Sequence, residues 1–123
     1  MEQFPVFLFA GRDEIRRDLL VFHDPNEKYK AKSLLPFLGK PLVQWVIDIL
    51  EESAYIDKIY ILGLDESDAD LNGNLEFVPV RSRGTLYSKY KAGLKYLRDK
   101  NIHPDNIIIT FAIFKSRFHS LNY

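Results

Sequence analysis

Four short apolar runs punctuate the chain, and helical patterns separate them. The runs are Phe4–Ala10 (FPVFLFA), Lys58–Leu62 (KIYIL), Leu75–Val80 (LEFVPV) and Asn106–Phe114 (NIIITFAIF). Continuous apolar segments rich in Ile, Val and Phe suit strands covered on both faces, as in a parallel sheet. The third run is weaker, because Pro79 removes a ladder donor. Gly11 and Gly63 end the first two. Pro41 opens a helix that reaches about Ser53, with Pro at its first position. Its polar residues Gln44, Asp48, Glu51 and Glu52 form one narrow stripe, so most of this helix should be buried. A second helix runs from Thr85 to about Lys100. Leu86, Tyr90, Leu94 and Leu97 fall on its apolar face, and Lys89, Lys91, Lys95 and Arg98 on its wet one. Gly93 within it is either simply tolerated or marks close helix–sheet packing.

Strands alternating with helices predict a layered α/β fold with right-handed crossovers. Ligands in such sheets bind beyond the carboxyl ends of the strands. The candidate functional edge therefore comprises Gly11–Arg12, Gly63–Asp65 and Arg81–Thr85. A long segment joins Gly11 to Pro41. Asp13–Phe22 within it could form a short helix, and HDPNEKYKAKS reads as a polar loop. Long loops at a ligand edge are more often functional than decorative.

Composition narrows the classes. The chain has 123 residues, one domain by length, and is 46% hydrophobic, which argues against disorder. Lys plus Arg number 17 against 17 Asp plus Glu, so bulk positive charge is absent. This disfavours nucleic acid or an anionic membrane as partner and leaves a single phosphate compound open. No cysteine is present, which excludes disulfides and Cys-based zinc sites. No apolar run approaches the ~18 residues of a membrane helix, so a cytoplasmic location is expected.

The candidate chemistry is local. On residue type alone Lys32 is a solvated loop charge, Gly11 a turn glycine, and Gly84 with Thr85 a helix entry and cap. Lys40 reads as structural or solvated, and Arg81 and Arg83 as wet loop charges. His23, His103 and His119 lack metal-ligand spacing. Asp65, Glu66, Asp68 and Asp70 form an acidic loop without the spacing of a calcium loop. Trp45 reads as packing.

Several blocks together resemble a known family. They are LFAGR at Leu8–Arg12, Lys32-Ser33-Leu34-Leu35, Gly39-Lys40-Pro41-Leu42, and SRGTLYSKYKAGLKYL at Ser82–Leu97. The pattern resembles nucleotidyltransferases related to molybdenum cofactor guanylyltransferase and the sugar-phosphate nucleotidyltransferases. The resemblance implies a Rossmann-like three-layer α/β sandwich with a mainly parallel sheet. It implies transfer of a nucleotidyl group from a nucleoside triphosphate to a small phosphorylated sugar, alcohol or cofactor precursor, with pyrophosphate leaving and Mg2+ as cofactor. By this resemblance Lys32 is catalytic, and Ala10, Gly11, Arg12, Lys32, Gly84 and Thr85 bind the nucleotide. Arg12 stands where the family has a second Gly, and either contacts phosphate or obstructs its cradle. The family's metal-binding Asp after the fourth strand is replaced by Phe111-Ala112-Ile113-Phe114, and no acidic residue follows Asp105. Residues 1–110 therefore read as the nucleotide-binding half. Residues 111–123 read as an atypical tail from truncation or a shifted reading frame, and transferase activity of this chain is expected to be slight. The alternative is a native short domain that serves as a non-catalytic nucleotide-binding or protein-interaction module.

Overall fold

The computed structural model describes residues 2–11, 26, 28–81 and 84–112. Arg12, Arg83, His23, His119, the helix expected over Asp13–Phe22 and the tail 113–123 lie outside these residues.

The chain builds β1 (Phe4–Phe9), a single 3-10 turn (Lys32–Leu34), β2 (Pro36–Phe37), β3 (Lys40–Pro41) and α1 (Leu42–Glu51). Then follow β4 (Ile56–Leu62), β5 (Leu75–Val78), α2 (Leu86–Asp99) and β6 (Ile108–Phe111). Four strands form one all-parallel sheet in the order β5-β4-β1-β6. Val6–Phe9 of β1 sit opposite Ile59–Leu62 on one side and Ile108–Phe111 on the other. β1 is therefore the strand at which the order reverses, and its five residues from Pro5 to Phe9 are all buried.

Alternation along β1 feeds two cores. Val6, Leu8 and Ala10 join Ile59, Ile61 and the α1 residues Val43 and Ile47. Phe7 and Phe9 join Tyr60, Leu62, Val78 and Leu97 of α2. The result is a three-layer Rossmann-like α/β sandwich with one helix on each face, as the sequence pattern implied.

The four expected strands form, β1 ending at Phe9 and β4 starting earlier than expected, at Ile56. Pro79 stops β5 at Val78. β6 reaches Phe111, and Ala112 N–H continues the ladder to Phe9 O at 3.0 Å.

Both helices form, but three expectations about them change. Pro41 is the cap residue before α1 rather than its first turn, with an extended ψ of 146°. It belongs to a small hairpin, β2–β3, whose tip is Leu38 (φ 49°) and Gly39 (φ 88°). A two-residue turn with both φ positive matches the right-handed strand twist. The polar stripe of α1 is only partly wet: Glu51 and Glu52 are exposed, but Gln44 is not. Gln44 is buried, its Oε1 accepts from Asn72 N (2.9 Å) and its Nε2 donates to Asn72 O (3.0 Å), tying α1 to the loop before β5. Ile49 is exposed instead.

The buried face of α2 is also rotated from the expected one. Lys89, Gly93 and Leu97 are buried, whereas Leu86 and Leu94 are exposed. Gly93 settles its two readings: a Cβ there would lie 2.7 Å from the ring of Phe7, which is itself fully buried. Gly93→Ala gains helix propensity of about 1 kcal/mol but overpacks the ring contact by about 2, a net loss near 1 kcal/mol. A urea unfolding midpoint at or above wild type would contradict this.

Candidate functional site

β1 delivers its carboxyl end to the middle of the sheet edge. Ala10 N–H donates to Leu62 O (2.9 Å), and Ala112 N–H reaches Phe9 O from the other flank, so the exit of β1 is held on both sides. The backbones of β1 and β4 then converge. Gly63 has φ +104°, and a Cβ on it would stand 2.5 Å from both Cα and N of Gly11. Only a glycine at position 63 permits that approach. Gly63 is buried and packs its backbone directly against the Gly11 turn, which is itself partly exposed.

Lys32 reaches the same place by a different route. Ala31 is extended (φ −151°, ψ 160°) and fully buried among Val6, Leu8 and Ala10. Ser33 is fully buried too, and its hydroxyl donates to Ala10 O. These two anchors fix the 3-10 turn against the end of β1, and Lys32 sits between them, half-buried. Its ammonium makes no hydrogen bond or ion pair among the described residues. Lys30, two residues earlier, is neutralised by Asp68 (3.0 Å) and Asp65 (3.6 Å) of the loop after β4. Asp68 also accepts from Asp65 N–H at 2.7 Å, which closes that loop on itself.

The expected site residues divide accordingly. Ala10, Gly11 and Lys32 come together at the end of β1. Gly84 and Thr85 lie on the same sheet edge but beyond β5, two strands away, and no hydrogen bond joins them to Lys32 or Gly11 among the described residues. Thr85 caps α2, its hydroxyl accepting from Ser88 N–H at 3.0 Å, and Ser88 Oγ donates back to Thr85 O at 2.9 Å. Gly84 precedes it with φ +135°. Arg12 lies outside the described residues.

Lys40 is structural: it pairs with Asp48 and lies 3.9 Å from the Trp45 ring centroid. This pairing, with the Gln44 amide second, holds the Asp48 carboxyl below its ordinary range. The acidic loop carries an ion pair and a turn rather than a ligand cage. Among the described residues no three His, Asp or Glu gather as a metal site, and the buried Ala112 stands just past β6.

Two residues of this edge carry no clear signal in the sequence. Ser33 looks like an ordinary loop serine until its neighbours are seen to be core. Lys89, in the first turn of α2, is 3% exposed. Its place in a run of lysines reads as a solvated face.

No protein-family model matches this chain, and no curated protein matches it. The class defined by fold and site is therefore a Rossmann-like α/β domain with a half-buried lysine at its sheet switch point. Among the described residues, no helix is long and apolar enough to cross a membrane.

Proposed function

We propose that this is a nucleotidyltransferase-like domain whose ligand is a nucleoside triphosphate, bound with its phosphates over Gly11, Gly63 and Lys32. In the full reaction an oxygen of a small phosphorylated acceptor attacks the α-phosphorus and pyrophosphate leaves. Catalysis of that kind rests on positioning and on stabilising phosphoryl charge. One observation carries the reading: Lys32, whose turn is tied to the β1 exit through Ser33 and Ala10, keeps an uncompensated charge among the described residues, while the acidic loop neutralises Lys30. An ammonium supplies a point charge with three donors, and glycine backbone supplies N–H groups without steric cost. The place is the switch point of an open parallel sheet, where ligands of this architecture bind.

A second reading keeps the binding and drops the chemistry. Phe111 and Ala112 stand where the resemblance expects a carboxylate, which favours a non-catalytic nucleotide-binding module. Calorimetric titration with ATP, GTP, CTP and UTP, with and without Mg2+, tests the site. At least one should bind, and Lys32→Ala should weaken it about tenfold, the worth of one charge-assisted contact. Undiminished affinity in a folded Lys32→Ala variant would remove Lys32 from the site. Pyrophosphate release should stay near background; turnover at ordinary enzyme rates would reject the non-catalytic reading.

A further inference from the structure

The outer face of α1 is apolar where a surface helix is normally polar. Phe37 is 51% exposed, Leu38 78% and Ile49 67%. Trp45, one turn before Ile49, joins them: its ring meets Phe37 edge-on at 6.1 Å between centroids, and its Nε1 donates to Phe37 O at 2.8 Å. The hairpin tip and the helix thus make one continuous patch. Leu38 adds strain to exposure, since a branched residue is held at φ 49° with its side chain in water. A left-handed non-glycine residue costs about 1 kcal/mol. Contiguous exposed apolar surface of this kind marks an interaction site.

The ends of α1 say what covers it. Its N-terminus has no acidic residue in the first turn and no side-chain cap, although helix N-termini favour negative charge. Its last turn has no basic residue, and instead ends in Glu51 and Glu52, which oppose the dipole. Each end lacks what the other carries. Lys40 stands just before the helix and Glu52 just after it. A second α1 laid antiparallel across the first brings Trp45 against Ile49 of the other copy. It also brings Glu52 of that copy to the N-terminus that lacks a side-chain cap. One two-fold axis satisfies both ends at once.

We propose that this chain self-associates through α1 and the β2–β3 hairpin, in an isologous antiparallel contact centred between Trp45 and Ile49. Four apolar side chains with a charged flank fall short of the ~800 Å² per partner of a standard interface, so the association is weak, with Kd of about 10–100 µM.

Trp45 is the single tryptophan, so its emission reports this contact directly. Sedimentation velocity over about 5–500 µM should show a monomer–dimer equilibrium, with Trp45 emission shifting to the blue over the same range. Ile49→Lys should sediment as monomer throughout with an unchanged far-UV spectrum, because that side chain is outside both cores. Glu52→Lys should weaken association about tenfold, because each of the two helix N-termini in the contact loses a carboxylate and meets an ammonium instead. A wild-type monomer at the highest concentration overturns the proposal, as does association that survives Ile49→Lys or leaves Trp45 emission unmoved. Dimers indifferent to Glu52→Lys overturn the antiparallel arrangement.

Discussion

Replacing Gly63 with alanine is expected to unfold a large fraction of this protein, by far the costliest single-methyl change available to it. Two independent penalties coincide. At φ +104° an L-residue lies outside even the left-handed well, which costs about 1–3 kcal/mol. The new methyl would also sit 2.5 Å from Gly11 Cα and N. These are backbone atoms pinned by the Ala10–Leu62 and Ala112–Phe9 hydrogen bonds, so no side chain can swing aside. Parting β1 from β4 adds about 1–3 kcal/mol, and the total of about 2–6 is a large share of the whole stability of a small domain. Gly39→Ala separates the two penalties. Gly39 has φ +88° but open space around its Cβ, so only backbone strain of about 1 kcal/mol should appear. Urea denaturation of both variants checks this. Equal midpoints for the two would show that the Gly11 contact contributes nothing.

The same geometry explains which part of the molecule was legible in the sequence. Strand existence was, because β1 from Pro5 and β4 from Ile59 onward are buried on both faces and apolar throughout. Helix existence was, because Thr85 caps and Pro41 precedes a helix as local chemistry dictates. The side of each helix facing the sheet was not. Gln44 looked like a solvent residue, yet it is buried because a backbone segment 28 residues away offers its amide both a donor and an acceptor. Leu86 and Leu94 looked like core, yet α2 presents Gly93 to the sheet because Phe7 fills the space that a larger residue would need. These outcomes are decided by partners distant in sequence, which periodicity does not encode. The β2–β3 hairpin was missed for a simpler reason: Leu-Gly is not the Asn-Gly or Asp-Gly that advertises a turn with two positive φ angles.

The candidate site divides along the same line. Gly11 and Lys32 were readable as residue types at a strand end and within spaced sequence blocks, but what brings their segments together was not. Ser33 does that through Ala10 O, and Gly63 does it by having no side chain. Lys30 shows why the lysine count alone is uninformative. Two lysines flank the extended Ala31, and the acidic loop after β4 neutralises the first while leaving the second. Selectivity between them rests on Asp65 and Asp68, which composition alone assigns to a solvated run.

At the opposite end of the sheet, acid should remove a defined part of the stability through Glu76. This carboxylate on the edge strand β5 accepts from the Tyr96 hydroxyl and pairs with Lys58 and Lys100, each at 3.1 Å. It joins β4, β5 and the last turn of α2, and its side chain is only 22% exposed. The Tyr96 hydrogen bond, working against burial and helped by the two lysines, lowers its pKa from 4.5 to about 2. The converse shifts agree in sign: Lys58 and Lys100 are raised, chiefly by their hydrogen bonds to Glu76. Tyr96 is raised by burial first and by Glu76 second. A carboxylate depressed in the folded state stabilises fully above its unfolded pKa and loses that contribution as pH falls through its folded one. The window therefore runs from about 4.5 down to about 2. After allowance for solvent screening the contribution is about 2 kcal/mol. Glu76→Gln should be less stable than wild type by that amount at pH 7, measured by urea unfolding, and the gap should narrow steadily below pH about 4.5. A gap that stays constant from pH 7 to pH 3 would assign Glu76 a packing role and deny it the ionic one.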